Sequence, residues 1–156
     1  AQPIQPDDVA TLPDVIQDMI DTMRAANGVG LAAPQIGLRM RLIVFEIPKN
    51  RQTVGDTNTP TSPQVLINPK ITHFDDEMEL GWEGCLSIPG LKGEVLRHSS
   101  ITYDAIDAEG NKLTRHACGF HARVIQHEID HLDGILYPER MLNLRQFGFV
   151  DELEEH

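Results

Sequence analysis

Two histidines four residues apart, with a glutamate directly after the first, stand in the stretch QHEIDHLDG (126–134). On an α-helix, residues four apart lie on one face and about 6 Å apart along the axis, so His127 and His131 can point at one metal ion. Glu128 can then reach a nearby water molecule without becoming a ligand. This pattern is typical of metal-dependent hydrolases, in which the carboxylate accepts a proton from water. The alternative is a polar helix face that merely carries two histidines.

A catalytic metal site usually has three protein ligands and one open position, so a third ligand is required. Cys85 lies in WEGCLSIPG, where Gly84 lets the backbone approach closely, and Cys118 lies in HACGF just before the motif. The spacing does not choose between the two cysteines, and either could be a small buried apolar residue. Further candidates downstream of the motif are Glu139, Glu152, Glu154, Glu155 and His156.

The composition is typical of a globular protein. The chain has 156 residues, of which 40% are hydrophobic, and this suits a single domain over residues 1–156. No apolar run is long enough to span a membrane, and the first residues do not resemble a signal peptide. The net charge of −11 argues against a nucleic acid or an anionic membrane as the main partner.

The cysteine content favours a reducing compartment. Two cysteines without a secretion signal predict a cytoplasmic protein in which at least one thiol is free to act as a ligand or nucleophile. The chain begins with Ala1 rather than Met, which leaves open whether residues precede it.

Both helices and strands are expected to position the motif. Apolar residues recur at helical spacing between Leu12 and Met23, and they predict an amphipathic helix that ends at Asn27-Gly28. Strands are predicted at residues 41–47, 64–68, 70–74, 101–107 and 112–116. A long loop is predicted over residues 49–62, and the motif helix should begin at Gly119. These elements predict one α+β domain.

Three stretches occur in a fixed order, GVGLAAPQ (28–35), EGCLS (83–87) and QHEIDH (126–131). Together they resemble the three signature motifs of bacterial peptide deformylases, over nearly the whole chain. HExxH alone is common, whereas the trio is highly specific. The resemblance implies antiparallel strands packed around a central HExxH helix. The reaction it implies is removal of the formyl group from the N-terminal formyl-methionine of new proteins, which releases formate.

The same resemblance implies roles for ten residues of the three motifs. These are Cys85, His127 and His131 as metal ligands; Glu128, Gln35 and the Leu86 N–H as catalytic groups; and Val29, Gly30, Glu83 and Gly84 as substrate contacts. Glu128 would be the acid/base, while Gln35 and the Leu86 N–H would hold the formyl oxygen as it becomes an oxyanion. Fe(II) is the metal implied in the cell, and Zn(II), Ni(II) or Co(II) also suit a Cys-His-His site.

Two charged residues near the motif need an explanation of their own. Asp130 is predicted to anchor the helix by pairing with an arginine, for which Arg97 is the candidate. Arg123, one turn before His127, stands where an apolar pocket residue is expected. It should either face outwards or bind polar groups of the substrate at the pocket rim.

The expected partners are the formylated N-termini of nascent polypeptides. A transient ribosome contact is left open, because the chain ends in the short acidic stretch DELEEH where some family members have a basic helix. Two other functions remain as alternatives. One is a metalloprotease that shares only HExxH. The other is a non-catalytic module in which Cys118 completes a four-ligand structural metal site.

Overall fold

The computed structural model describes residues 1–60 and 62–150, which form two antiparallel β-sheets and two α-helices. The helices are α1 (Pro13–Ala25) and α2 (Phe120–Leu132). The strands are β1 (Gly30–Ala32), β2 (Leu42–Phe45), β3 (Gln64–Phe74), β4 (Met78–Cys85), β5 (Ile88–His98), β6 (Ser100–Ile106), β7 (Lys112–Cys118) and β8 (Phe147–Phe149). The predicted α+β class with antiparallel strand pairing is confirmed.

The larger sheet has the strand order β1-β2-β3-β6-β7 and carries a helix on each face. In β2, Ile43 and Phe45 point to the core that contains Ile125 of α2, because side chains alternate along a strand. Leu42 and Val44 point to the opposite core, which contains residues of α1. Burial on both faces explains why β2 is a continuous apolar run. The sheet therefore holds α2 against one face and α1 against the other.

The N-terminal helix α1 follows the apolar spacing seen in the sequence. Ile16, Met19 and Met23 are buried on its inner face, and Pro13 occupies the first turn, where no amide hydrogen bond is needed. The helix ends before Asn27, which adopts a left-handed conformation with φ of 55°. The chain then turns directly into β1. No helix in the described part of the chain is long and apolar enough to cross a membrane.

The strands predicted at residues 64–68 and 70–74 differ in one respect from the structure. Residues 64–68 and 70–74 were expected as two short strands, but they form the single strand β3. Its pairing with β6 shifts register twice, between Ile67 and Lys70 and again between Ile71 and His73. Asn68 has a φ of 51°, and Pro69 has no N–H to donate, so the chain bulges there without ending the strand.

The smaller sheet, with the order β4-β5-β8, was not predicted from the sequence. Its long β4–β5 hairpin carries Gly81, Gly84, Gly90 and Gly93, and much of β4 is exposed. Apolar and polar residues therefore do not alternate as they would in a half-buried strand. The hairpin closes through Leu86 and Ser87, so Cys85 lies at its tip.

Of the loop predicted over residues 49–62, residues 52–60 are irregular or in turns, whereas Lys49–Arg51 form a short 3₁₀ helix. This segment is anchored to the start of α2. Thr53 Oγ1 accepts a hydrogen bond of 3.0 Å from the Phe120 N–H, and so caps the helix from a distant segment. Gly119 precedes the helix with a φ of 62°, and a Cβ there would overlap the Thr53 side chain. Glycine is therefore required at this position.

Candidate active site

Cys85, His127 and His131 converge between the tip of the β4–β5 hairpin and helix α2. The Cys85 Sγ lies 3.1 Å from His131 Nε2, which lies 3.3 Å from His127 Nε2. All three potential ligand atoms lie within 4.8 Å of one another. Within residues 1–60 and 62–150, no other three His, Cys, Asp or Glu side chains meet in this way. Cys118 and Glu139 are outside the group. The other downstream candidates, Glu152, Glu154, Glu155 and His156, lie outside the described residues.

The donor set fits a divalent transition metal, because a thiolate and two imidazoles are ligands that such ions prefer. His127 Nδ1 is held by Glu83 Oε1 at 2.7 Å, so its Nε2 is the nitrogen that faces Cys85 and His131. A second observation comes from Glu128. Its Oε2 is buried and has no hydrogen-bond partner among the described residues. A buried carboxylate oxygen needs a donor, and a water molecule beside a metal would supply one.

The electrostatics of the cluster favour a thiolate. Burial would raise the pKa of the Cys85 thiol, but hydrogen bonds from His127 and His131 outweigh it and lower the pKa to about 5. Burial likewise opposes the charged form of His127, yet its bonds to Cys85 and Glu83 raise its pKa to about 10. At neutral pH the sulfur therefore carries the negative charge that a metal ligand needs. Burial raises the pKa of the Glu128 carboxyl, although the neighbouring His127 and His131 oppose this shift.

Glu83 lies behind His127 rather than in the open part of the cleft. Its two carboxylate oxygens accept hydrogen bonds of 2.9 Å from Arg97 Nη2 and Nε, and Oε2 also accepts one of 2.6 Å from Arg123. Burial would raise the pKa of Glu83, but the hydrogen bonds and charges of His127 and Arg97 outweigh it and lower the pKa to about 2. The sequence predicts that Glu83 contacts the substrate. This stays a prediction; in the structure both carboxylate oxygens of Glu83 are bonded to protein groups.

The predicted pair between Asp130 and Arg97 is present, with Asp130 Oδ2 at 2.6 Å from Arg97 Nη1. Because Arg97 also binds Glu83, one buried guanidinium connects the motif helix to β4 and β5. Arg140 was not predicted to take part, but it binds both oxygens of Asp130 at 3.1 and 3.0 Å. The ion pair between Arg140 and Asp130 could not be predicted from the sequence, because a separation of ten residues is not the three- or four-residue spacing of ion pairs along a helix.

Arg123 does not face outwards, so that expectation was wrong; it lines the cleft as a buried residue, and its binding to polar groups of the substrate stays a prediction. It is 6% exposed, and besides Glu83 it donates hydrogen bonds of 2.9 Å to the carbonyl oxygens of Val95 and Glu79. A Cβ at Gly81 would lie 2.7 Å from the Arg123 Cζ, so glycine makes room for the guanidinium. Arg123 thus ties both strands of the hairpin to α2.

Gln35 places its amide group next to the Cys85 sulfur. Its Oε1 accepts a hydrogen bond of 2.9 Å from the Ala32 N–H, which fixes the orientation of the amide. Its Nε2 donates to Ser87 Oγ at 3.0 Å and to Cys85 Sγ at 3.6 Å. The NH2 group is therefore directed towards the hairpin turn that contains Leu86.

A cleft of about 600 Å³ opens beside the three ligands. All four predicted substrate contacts line it, namely Val29, Gly30, Glu83 and Gly84. Apolar side chains also line it, among them Leu91, Phe120 and Val124. A Cβ on Gly30 would lie 3.0 Å from Glu128 Cγ, so this glycine lets β1 pass close to the glutamate. Because β1 is the edge strand of its sheet, an extended peptide could pair with it.

Comparisons with known proteins point to one family. A family profile described as polypeptide deformylase matches residues 1–147. The chain is 49% identical over 139 residues to peptide deformylase 1 of Nitrosomonas europaea, covering 89% of this chain and 78% of the relative. It is 48% identical over 153 residues to peptide deformylase 2 of Ralstonia nicotianae, with 98% and 85% covered. A solved structure of a Synechococcus elongatus peptide deformylase in complex with actinonin is 38% identical with a TM-score of 0.81, covering 94% of this chain and 73% of that one.

Proposed function

Because this chain belongs to the polypeptide deformylase family, we propose a role for each of its site residues in that family's reaction. The enzyme removes the N-terminal formyl group from newly made proteins. The proposed roles rest on one observation above all, which is the convergence of Cys85, His127 and His131 beside a cleft. Residues 1–156 are proposed to act as a single catalytic domain.

The metal would be held by Cys85 Sγ and by the Nε2 atoms of His127 and His131, and Glu83 would keep His127 in the required orientation. A divalent metal bound there supplies positive charge that polarises the formyl carbonyl and makes water more acidic. Fe(II) is the proposed metal in the cell, while Zn(II), Ni(II) and Co(II) also suit these ligands.

Glu128 is proposed to move the proton. It lies next to the ligands, with its Oε1 at 3.7 Å from His127 Nε2, and its Oε2 has no partner in the described part of the protein. It would take a proton from the attacking water and then deliver it to the nitrogen of the leaving amine. The formyl C–N bond breaks, and formate and a free methionine amine result.

Gln35 Nε2 and the Leu86 N–H are proposed to bind the formyl oxygen as negative charge develops on it. The Gln35 amide is held in place before substrate arrives, because its oxygen is bonded to the Ala32 N–H. A preorganised donor costs little reorganisation during the reaction and is correspondingly effective.

Replacement of Gln35 by leucine should lower the rate of formate release by roughly 10²–10³, the usual loss for one such donor. Metal content should stay the same, because Gln35 is not a ligand. Ser87→Ala is the matched control, since it removes the hydroxyl that Gln35 Nε2 contacts and leaves the amide in place. Steady-state kinetics and elemental analysis on both variants provide the test. If Gln35→Leu mainly loses metal or thermal stability, Gln35 has a structural role instead.

The methionine side chain of the substrate would occupy the apolar part of the cleft near Val124 and Leu91. The peptide that follows would pair with the edge strand β1. In this arrangement α2, packed against the larger sheet, holds Glu128 and the two histidines, and α1 supports the opposite face of that sheet. The enzyme would act in the cytoplasm on nascent chains, and a transient contact with the ribosome is part of the proposal.

The reaction can be tested on three substrates in parallel. Metal-loaded protein should release formate rapidly from formyl-Met-Ala-Ser and far more slowly release acetate from the acetylated peptide, because a tight site admits a formyl group more easily. Casein, which has no formyl group, should stay intact. Casein fragments without formate would overturn the deformylase proposal in favour of a protease.

A further inference from the structure

One charged side chain of the cleft differs from the others in its exposure. The buried side chains of Glu83, Arg123 and Glu128 line the cleft, and so does the half-buried His127. Arg51 also lines it, and of the charged residues that do so within the described chain it alone is exposed. A substrate that enters the cleft therefore meets the Arg51 cation before it meets the buried charges.

The guanidinium of Arg51 rests on an aromatic ring and has no acidic partner among the residues that the structure describes. Its Cζ lies 3.8 Å from the centroid of the Phe120 ring, which is itself part of the cleft wall. No carboxylate among residues 1–60 and 62–150 forms an ion pair with Arg51, whereas Arg24, Arg41, Arg97, Arg123 and Arg140 all form one. Contact with the ring removes water from one face of the cation, and this burial lowers the pKa of Arg51.

The segment that carries Arg51 is fixed to α2. Arg51 ends the short 3₁₀ helix Lys49–Arg51, and two residues later Thr53 caps α2 through the Phe120 N–H at 3.0 Å. Asp56 Oδ2 then pairs with His121 Nδ1 at 2.9 Å, and both of these side chains are buried. Arg51 is therefore held in place relative to the helix that carries the two histidine ligands.

The proposed path of the substrate brings residues after methionine towards this cation. With methionine in the apolar part of the cleft, the next residues run along the edge of β1. Val29 and Gly30 at that edge line the same cleft as Arg51. The net charge of −11 on the whole chain disfavours the binding of acidic peptides, so a preference for them needs a local cation. A carboxylate next to Arg51 would supply the counter-ion that the described protein does not.

We propose that Arg51 makes this enzyme favour formyl-methionyl chains with an acidic side chain at the second or third residue. This inference rests on the proposed function and deepens it, because it names a preference among deformylase substrates.

The test compares formyl-Met-Glu-Ser and formyl-Met-Ala-Glu with their glutamine counterparts. For the unmodified enzyme, kcat/KM should be about two- to fivefold higher for the acidic peptide at one of these positions, the range for a charge pair of this exposure. The preference should shrink as salt is raised. Arg51→Gln should abolish it, and Arg51→Lys should keep part of it. Lys49→Gln is the matched control, since it removes an equal charge from the same turn, and Lys49 is exposed and does not line the cleft.

An unchanged preference in Arg51→Gln would overturn the inference. An equal loss of the preference in Lys49→Gln would also overturn it, because the preference would then arise from the overall electrostatic field of the protein rather than from a contact with Arg51. In both cases formyl-Met-Ala-Ser would still release formate, and the proposed function would stand. If no formyl peptide released formate, the proposed function would fail, and the inference with it.

Discussion

Replacement of Cys85 by alanine should strip the metal from the protein and abolish formate release. The remaining ligands, His127 and His131, come from one helix and are both neutral when they bind a metal. They offer neither the charge of a thiolate nor a third direction of coordination. Metal content, measured by elemental analysis after dialysis, should fall from about one per chain to near zero, because three protein ligands are the usual minimum for a catalytic site.

Cys118→Ala is the control for this experiment, and it should keep both metal and activity. Cys118 lies at the end of β7 and is not part of the ligand group, and burial raises the pKa of its thiol. A full complement of metal in Cys85→Ala would contradict the proposed ligand set. Loss of metal in Cys118→Ala would revive the alternative of a four-ligand structural site.

Replacement of Glu128 by glutamine should separate metal binding from catalysis. The variant should retain its metal, because Glu128 is not among the converging ligands. Its rate of formate release should fall by about 10²–10⁴, since an amide cannot accept the proton of the attacking water. Glutamine has nearly the shape of glutamate, so it should fit the tight space beside Gly30. Single-turnover kinetics on metal-loaded protein measure the effect on the chemical step.

Glu139→Gln is the matched control, because Glu139 is exposed and lies downstream of the same motif. It should leave both metal content and rate unchanged. Near-normal turnover in Glu128→Gln would mean that another group moves the proton. Tyr137, whose buried hydroxyl also has no partner among the described residues, would then be the next side chain to replace.

The elements with a regular local pattern could be predicted from the sequence. The apolar spacing of α1, the run of β2 and the hairpin of β6 and β7 each reflect a local period, because one face or both faces of the element are buried. The β4–β5 hairpin has no such pattern. Glycines in this hairpin make room for residues that are distant in sequence, as Gly81 does for Arg123. Such a requirement does not produce a periodic pattern in the local sequence.

The environment of the charged residues was harder to predict from the sequence, because it is set by contacts with residues that are distant along the chain. Arg123 looked like a residue of the surface or of the pocket rim, but it is buried against Glu83 and two backbone carbonyls. The resemblance implies that Glu83 contacts the substrate, and this stays a prediction. The fold directs its carboxylate to Arg97 and His127, and burial of the charge is tolerated because both oxygens have partners.

The motif HExxH already predicted two candidate ligands and a candidate general base, because helix geometry alone places His127 and His131 on one face. The three motifs together also identified the reaction. The candidate for a third ligand could not be derived from spacing, since Cys85 and Cys118 were equally available along the chain. The tertiary structure decided between them. Pairing of β4 with β5, held to α2 by buried ion pairs, brings the Cys85 sulfur to 3.1 Å from a histidine 46 residues away. A contact at that separation depends on the packing of the whole fold, which no local periodicity records.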